Sequence, residues 1–397
     1  MSVNRSQMPI EEQSAQLQAL YAELAESAET RAQGDAAELT AAEARFAASQ
    51  WVMIWRRFRR NRAAMAGGVI VLLYYFVALF ADFFAPYGLT TRFTQQIYLP
   101  PQTVYLFDEG QLHPFVYEVK TEFDANLRRV YVQSDEKIYL EFFARGDSYK
   151  LLGFIETDLH LFQAPGGIIS LLGTDRQGRD MFSRVILGSQ ISLTIGLIGV
   201  ILSLILGTIL GITSGYFGGL IDEGIQRVIE IVRAFPSIPL WMALSAAVPS
   251  GWSQIQTYFA ITLILSLIGW TWLARQLRGL VLSIRQSDYV MAAKLAGASD
   301  SRIIFRHLIP ATIGQIIVVA TLSLPSMILA ETALSYLGLG LRPPTTSWGV
   351  LLQEVQNLES LALYPWVFSP AIVIVIVILA FSFLGDGLRD AADPYTI

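Results

Sequence analysis

Asp175, Arg179, Asp180 and Arg184 stand at i, i+4, i+5 and i+9 ahead of a long apolar run. On one short interfacial helix that spacing permits ion pairs along a single side. The chemistry it offers is electrostatic, that of a charged helix lying at the outer surface of a membrane. Glu331 is a second isolated feature, a carboxylate closing the uncharged stretch 311–330. Two readings stand for it: a paired or interfacial residue, or a gate or pathway residue facing a subunit interface. The three histidines, His113, His160 and His307, are too scattered for a metal site, and no HExxH occurs. Cysteine is absent, which excludes disulfides, thiol catalysis and cysteine-ligated metals. The lysines are Lys120, Lys137, Lys150 and Lys294, and none follows a glycine. There is therefore no GxxxxGK[ST] phosphate loop, and any ATP site belongs to another polypeptide. No nucleophile–base pair points to an enzyme, no cofactor is expected on this chain, and nothing marks a nucleic-acid partner.

A third constellation is built for contact. Tyr289-Val-Met291-Ala292-Ala293-Lys-Leu-Ala296 can form two helical turns, and Gly297 can end them with φ > 0. Ala298 follows, and Ser299 or Asp300 can cap a second helix that carries His307 and reaches Pro310. This polar, basic island separates two apolar runs. A plain connector needs no helix, tight turn and helix; such a segment is something another protein grips.

The elements that position these residues are membrane spans. At 53% hydrophobic and only 15% charged, the chain is too apolar for a soluble protein of 397 residues. A bilayer core of about 30 Å needs roughly 20 apolar residues in a helix. Six stretches qualify, about 65–86, 190–214, 226–249, 255–274, 310–331 and 363–385. The third is the weakest, because Glu230 and Arg233 intrude at its start and Pro236 and Pro239 would bend it. Ser203, Gly207, Gly211 and Gly215 recur every four residues in the second, which lets helix backbones approach closely. Arginines at 56, 57, 59, 60 and 62 precede the first span, and Arg275, Arg278, Arg285, Lys294, Arg302 and Arg306 follow the fourth. With an even number of spans, that bias puts both termini and the island in the cytoplasm, and 87–189 outside.

Two regions lie apart from the spans. Residues 1–50 are acidic and rich in Ala, Glu and Gln, with helices expected over 13–27 and 36–50. A solvated tail and a partner-binding helix are both compatible with that composition. Residues 88–170 are too polar to span. Alternation and aromatic content predict strands over 115–123, 130–133 and 137–143, with Ser134-Asp135-Glu136 as a turn between the last two. This insert is either a plug over the outer mouth or a docking surface for an external partner.

The island resembles the "EAA" loop of ABC importer permeases, with Met291 in place of the motif's acidic residue. Leu172-Gly-Thr-Asp175-Arg-Gln-Gly-Arg179-Asp180-Met-Phe-Ser-Arg184, followed by Gly188-Ser-Gln190-Ile-Ser-Leu193, resembles the stretch before the second span of the dipeptide/oligopeptide/nickel group, second-permease type. Gln190 stands where that group usually has Arg. Gly215-Tyr-Phe-Gly-Gly219 with Asp222, Arg233-Ala-Phe-Pro236, Ala330-Glu331 through Gly340, and the closing Leu384-Gly-Asp-Gly-Leu-Arg-Asp390 with Asp393-Pro394 match in order. The likeness covers about 170–397 and the first span with its basic lead, and leaves out 1–50.

That resemblance implies an all-α integral membrane protein. It would have six transmembrane helices of the type I ABC importer permease kind and a small extracytoplasmic β-rich insert between helices 1 and 2. The expected units are a cytoplasmic extension at 1–50, a basic lead and first helix at 51–86, the insert at 87–170, and a permease core at 171–397 with its coupling loop at about 285–309. The implied partners are a second, non-identical permease, one or two ABC ATPase subunits carrying ATP and magnesium, an extracytoplasmic solute-binding protein, and lipid of a bacterial inner membrane. In that family the loop docks on the ATPase subunit, and the chain forms half of a path for an oligopeptide-like solute. Oligosaccharides or another solute are the alternatives within the class. An ATP-independent channel or ion-coupled carrier is the alternative outside it.

Overall fold

The computed structural model describes residues 52, 54–123, 125, 129–249 and 251–392. The helices expected over 13–27 and 36–50, and the Asp393-Pro394 motif, lie outside the described residues. The chain divides into two units at Arg60/Asn61. In the first, residues 54–60 are helical, and the rings of Trp55 and Phe58 stack with centroids 5.7 Å apart.

The second unit opens with α1 (Arg62–Leu79), capped by the Asn61 side chain, which accepts from the Ala64 N–H at 3.1 Å. A short α2 (Ala81–Phe84) leads into the insert. Then come α3 (Met181–Phe217), α4 (Gly219–Ala234), α5 (Ser237–Ala246) and α6 (Gln254–Ile284). The island contributes α7 (Asp288–Leu295) and α8 (Asp300–Ile303), which runs through a π-helical turn at Ile304–Leu308 into α9 (Ile309–Tyr336). The chain finishes with α10 (Trp348–Leu352), α11 (Leu358–Leu363) and α12 (Ser369–Ala392). Among the described residues, five helical stretches are long and apolar enough to cross a membrane, and α4 with α5 makes a sixth only as a pair bent by 85°.

That bend has a local cause. Proline at 236 removes an amide donor and pushes the preceding Phe235 into extended backbone, at φ −90° and ψ 137°. Pro239 is harmless because it falls in the first turn of α5, where amides have no intrahelical partner. Two other expected spans, the second and the fourth, are too short. The second begins at Met181, ahead of position 190, and the fourth runs on to Ile284, so Arg275 and Arg278 lie within its helix. Pro310 does not interrupt the fifth. The π turn widens the helix just ahead of it, with the Ile309 N–H bonded to the Ile304 carbonyl, and so accommodates the proline ring.

The small-residue stripe of α3 is where α6 packs. A Cβ on Gly207 would lie 2.9 Å from the Trp270 carbonyl oxygen, and one on Gly211 would lie 2.7 Å from that of Ala274. The Ser203 hydroxyl donates across the same contact to the Ser266 carbonyl at 3.1 Å. Gly211→Val therefore forces the two helices apart at a backbone contact that cannot yield. We expect a destabilisation of about 1–3 kcal/mol or more, read as loss of the monodisperse peak in size-exclusion chromatography. Gly224→Ala, where an added Cβ meets nothing within 4 Å, serves as the control. A second seam joins α1 and α12, where a Cβ on Gly67 would sit 2.5 Å from the Ala380 carbonyl oxygen.

The insert is β-rich, as expected, but its strands differ. β1 (Tyr105–Asp108), β2 (Gln111–Phe123) and β3 (Arg129–Tyr139) form one antiparallel sheet, and β4 (Glu141–Leu151) with β5 (Ile155–Gln163) forms another. Ser134-Asp135-Glu136 is no turn. It lies inside β3 as a bulge, because Tyr117 pairs with Lys137 and Val119 with Gln133, which leaves the three residues opposite Glu118 alone. The second sheet is tied to the end of α2 by His160, whose ring nitrogens lie 2.7 Å from the Ala85 carbonyl and 2.9 Å from that of Asp147.

Candidate coupling site

The island is an anchored projection. Val290, Ile303 and Leu308 are buried against Leu277 and Val281 of α6, Ile212 of α3 and Val319 of α9. Two bonds close the end of α7: the Ala298 N–H reaches the Ala293 carbonyl and the Gly297 N–H the Lys294 carbonyl, both at 3.0 Å. Those are the paired bonds of a Schellman ending, and Gly297 sits at the φ of +80° that the motif requires. Ser299, rather than Asp300, caps α8, its side chain accepting from the Arg302 N–H. Asp300 instead accepts from the Tyr216 hydroxyl at 2.6 Å, which ties the island to the end of α3. Arg285 donates to the Gly215 and Tyr216 carbonyls at 3.0 and 3.1 Å, satisfying the C-terminus of that helix.

Among the exposed charges Asp288, Lys294, Arg302 and Arg306, large apolar side chains also face outward. Leu295 is 87% exposed and Phe305 69% exposed, with Tyr289 and Met291 half exposed beside them. Ala292 is exposed and Ala293 and Ala298 are partly so, while the rings of His307 and Tyr289 lie 6.0 Å apart. Pro310 is exposed at the start of α9. Two-turn helices do not hold together alone in water. This one is held by the burial of Val290 and by its closing turn, so its outward face stays fixed.

Asp222 completes the frame. Arg278 clamps its carboxylate with two bonds of 2.6 Å, which hold the start of α4 against α6. The sequence offered Asp222 as a motif residue; its partner 56 positions away was not legible, nor were Tyr216 and Arg285 as tethers.

Asp175, Arg179, Asp180 and Arg184 do come together, but not along a surface helix. Asp175 and Arg179 meet across a tight turn, with the Arg179 Nε 2.6 Å from the Asp175 carboxylate and Gly178 at φ +71°. Arg184, in the first turn of α3, donates to the same carboxylate. Glu354 supplies the second negative charge, 3.3 Å from Arg179 and 3.4 Å from Arg184. All four charges of this cluster are almost wholly enclosed. Burial and the adjacent Asp175 push the Glu354 carboxyl above its usual range, while Arg184 and Arg179 pull it back. Asp180 acts separately from that cluster. It caps α3 by accepting from the Ser183 N–H at 2.7 Å and takes further bonds from the Ser183 and Ser170 hydroxyls. Burial pushes its carboxyl up to about 6, against those bonds.

Glu331 is 0% exposed and is a paired residue within the chain. Its carboxylate accepts from Ser335 at 2.8 Å, Ser347 at 2.7 Å and Ser192 at 3.3 Å. Ser347 caps α10 and Ser192 accepts from the Trp348 N–H, so the carboxylate joins α3, α9 and α10. Gln190, in the position of the resembling group's arginine, reaches Asp82 at 3.2 Å. Among the described residues no cluster of His, Asp or Glu could hold a metal ion.

This architecture is that of a helical membrane protein carrying an anchored projection, with exposed apolar side chains, between two spans. Residues 207–396 match the family described as binding-protein-dependent transport system inner membrane component, and residues 49–101 match the N-terminal TM domain of oligopeptide transport permease C. The chain is 33% identical over 346 residues to the dipeptide transport system permease protein DppC of Lactococcus lactis subsp. cremoris (strain MG1363), covering 86% of this chain and 89% of that relative. It is 31% identical to the oligopeptide transport system permease protein OppC of Bacillus subtilis (strain 168), covering 87% and 90% of the two chains. Identity is 34%, with the same coverage, to the glutathione transport system permease protein GsiD of Escherichia coli O6:K15:H31 (strain 536 / UPEC). The chain belongs to the inner-membrane permease family of binding-protein-dependent transport systems, in its dipeptide/oligopeptide C-type group.

Proposed function

We propose that this chain forms half of the translocation path of an ATP-driven importer of short peptides, and that an ATPase subunit grips the 289–310 island. The observation that carries the reading is the outward apolar face of α7 and Phe305 on a segment locked to three spans, in a chain without a phosphate loop. The anchoring makes the island a lever: force applied at Leu295 passes through Val290 to α6 and through Asp300 and Tyr216 to α3. A second permease, an ATPase and a solute-binding protein complete the assembly, with both termini and the island in the cytoplasm and the β-rich insert outside. The relatives' names supply the solute class.

The test is reconstitution of the chain with its neighbouring permease and ATPase in proteoliposomes with the binding protein. Uptake of a labelled tripeptide that requires ATP supports the reading; uptake without any ATPase subunit overturns it. Glu331, enclosed by its serines, would serve gating by holding α10 to α3 and α9. Glu331→Gln then slows uptake and loosens the coupling of ATP hydrolysis to transport. Unchanged rates of both would remove Glu331 from gating.

A further inference from the structure

The outward side of α1, the first span, is a stripe of large apolar side chains. Val69, Leu72, Leu73, Phe76 and Leu79 stand at i, i+3, i+4, i+7 and i+10, and each is more than half exposed. Small residues of the same helix lie on its other side. Ala64, Gly67 and Ala78 are buried there, and Gly67 meets the Ala380 backbone of α12. Helices that associate inside a membrane approach through small residues, so a stripe built only of large ones is the side that faces hydrocarbon.

That stripe continues past the end of the span into the insert. The Phe76 ring, in the last turn of α1, lies 5.0 Å from Phe80 and 6.0 Å from Phe84. Phe84 lies 5.4 Å from Phe83, and Phe83 lies 6.2 Å from Phe143 of β4. Rings are thus in unbroken contact from the outward face of a span to the β4–β5 sheet. His160 of β5 fixes the same sheet at the Ala85 carbonyl, immediately after α2, so the sheet stays where the first span ends. Phe142 and Phe143 are 56% and 64% exposed. Phe143 leaves the regular strand conformation at φ +53°, in the left-handed region that bulky residues rarely enter. Two neighbouring phenylalanines held outward are unfavourable in water and favourable against acyl chains. Glu141 and Arg145, both exposed, flank the pair. Charges so close to the rings fit the headgroup level and not the hydrocarbon core.

We propose that the β4–β5 sheet rests on the bilayer surface on the insert's side, with Phe142 and Phe143 inserted among the lipid headgroups beside α1. The occupant is phospholipid and not a partner protein, because the patch extends a stripe whose residue sizes are those of a lipid-facing helix. The contact makes this sheet a brace between the outer end of α1 and the membrane surface. It requires only that the chain spans a membrane, and it stands apart from the importer reading.

The experiment places the photoreactive residue p-benzoylphenylalanine at Phe143, and in a second variant at Phe142, so that one misfolded variant does not decide the outcome. The full complex is reconstituted in vesicles of phosphatidylethanolamine and phosphatidylglycerol and irradiated. Leu73, on the outward stripe of α1, carries the same group as the reference position. The peptides containing 142 or 143 should gain the mass of one phospholipid, at a yield comparable with that at 73. A crosslink from 142 and 143 to another subunit overturns the proposal, because protein then covers the rings. The absence of any adduct at both positions, while 73 takes up lipid, overturns it as well, because the rings then face water. A crosslink from 73 to another subunit, without a lipid adduct there, also overturns it by removing the lipid-facing side of α1. ATP-driven uptake by the same vesicles is a separate readout, so failure of the lipid contact and failure of the importer reading are told apart.

Discussion

Asp175→Ala destabilises the chain by about 3–5 kcal/mol, the range for removing one partner of a buried ion network. Asp175 is fully buried and holds two arginines at once, Arg179 at 2.6 Å and Arg184. It also accepts the Gln177 and Arg179 N–H groups at 2.7 and 2.9 Å, which shape the turn. Without it, Glu354 alone faces two buried guanidinia at 3.3 and 3.4 Å, and one positive charge has no counterpart. Asp175→Asn keeps an acceptor for the turn but not the charge, so it should fall between wild type and alanine. Glu354→Gln leaves Asp175 with both closest contacts and should cost less than either. The measurement is the thermal midpoint of the detergent-purified chain, with protease cleavage near 170–184 as the local readout. A midpoint for Asp175→Ala equal to wild type would show that the network is not what holds this loop to the segment carrying Glu354.

The contrast between this network and the island shows what a single sequence makes legible. The island's structure is local: Gly297, Ser299 and the pattern of Val290 and Leu295 all act within ten or so residues, so turn chemistry and capping rules suffice. The weakness of the third span was readable for the same reason, since Pro236 acts on Phe235 beside it. The charged quartet was misplaced because its defining partner, Glu354, is 170 positions from Arg184. Helical spacing suggested a surface helix, yet a tight turn at Gly178 produces the same i, i+4 contact. For Glu331 the paired reading fits, but its partners were hidden in the same way: Ser192 and Ser347 approach it from 139 and 16 residues away. In the insert, Ser134-Asp135-Glu136 has the composition of a turn, but pairing of β3 with β2 along both flanks overrides it. The contact of the Arg233 guanidinium with the Trp272 ring is a tertiary product too, because the two lie on different helices.

Leu295→Asp should abolish ATP-driven uptake while leaving the chain folded. Leu295 is 87% exposed, so its replacement removes no internal packing, and any loss belongs to a contact with another protein. A central apolar anchor exchanged for a charge at a protein interface costs about 2 kcal/mol or more, which is about 30-fold in affinity. The ATPase subunit should then dissociate during purification, and the thermal midpoint of the permease alone should match wild type. Gly297→Val acts on the same contact by another route. At φ +80° a β-branched residue is strained by about 1–3 kcal/mol, enough to open the paired bonds that close α7 and turn Leu295 away. Space is not the cause, since an added Cβ there meets nothing within 4 Å. Gly297→Asn, which tolerates the left-handed region, should therefore retain most of the uptake that valine loses. If asparagine and valine fail equally, the turn is not the reason; if Leu295→Asp transports normally, the ATPase does not dock on this face. The Met291 position gives the comparison its finer grain. Met291 is 48% exposed on the same helix as Leu295, so it adds apolar area where the family motif has a charge. Met291→Glu should weaken ATPase retention less than Leu295→Asp, because an acidic residue is what that motif carries at this position.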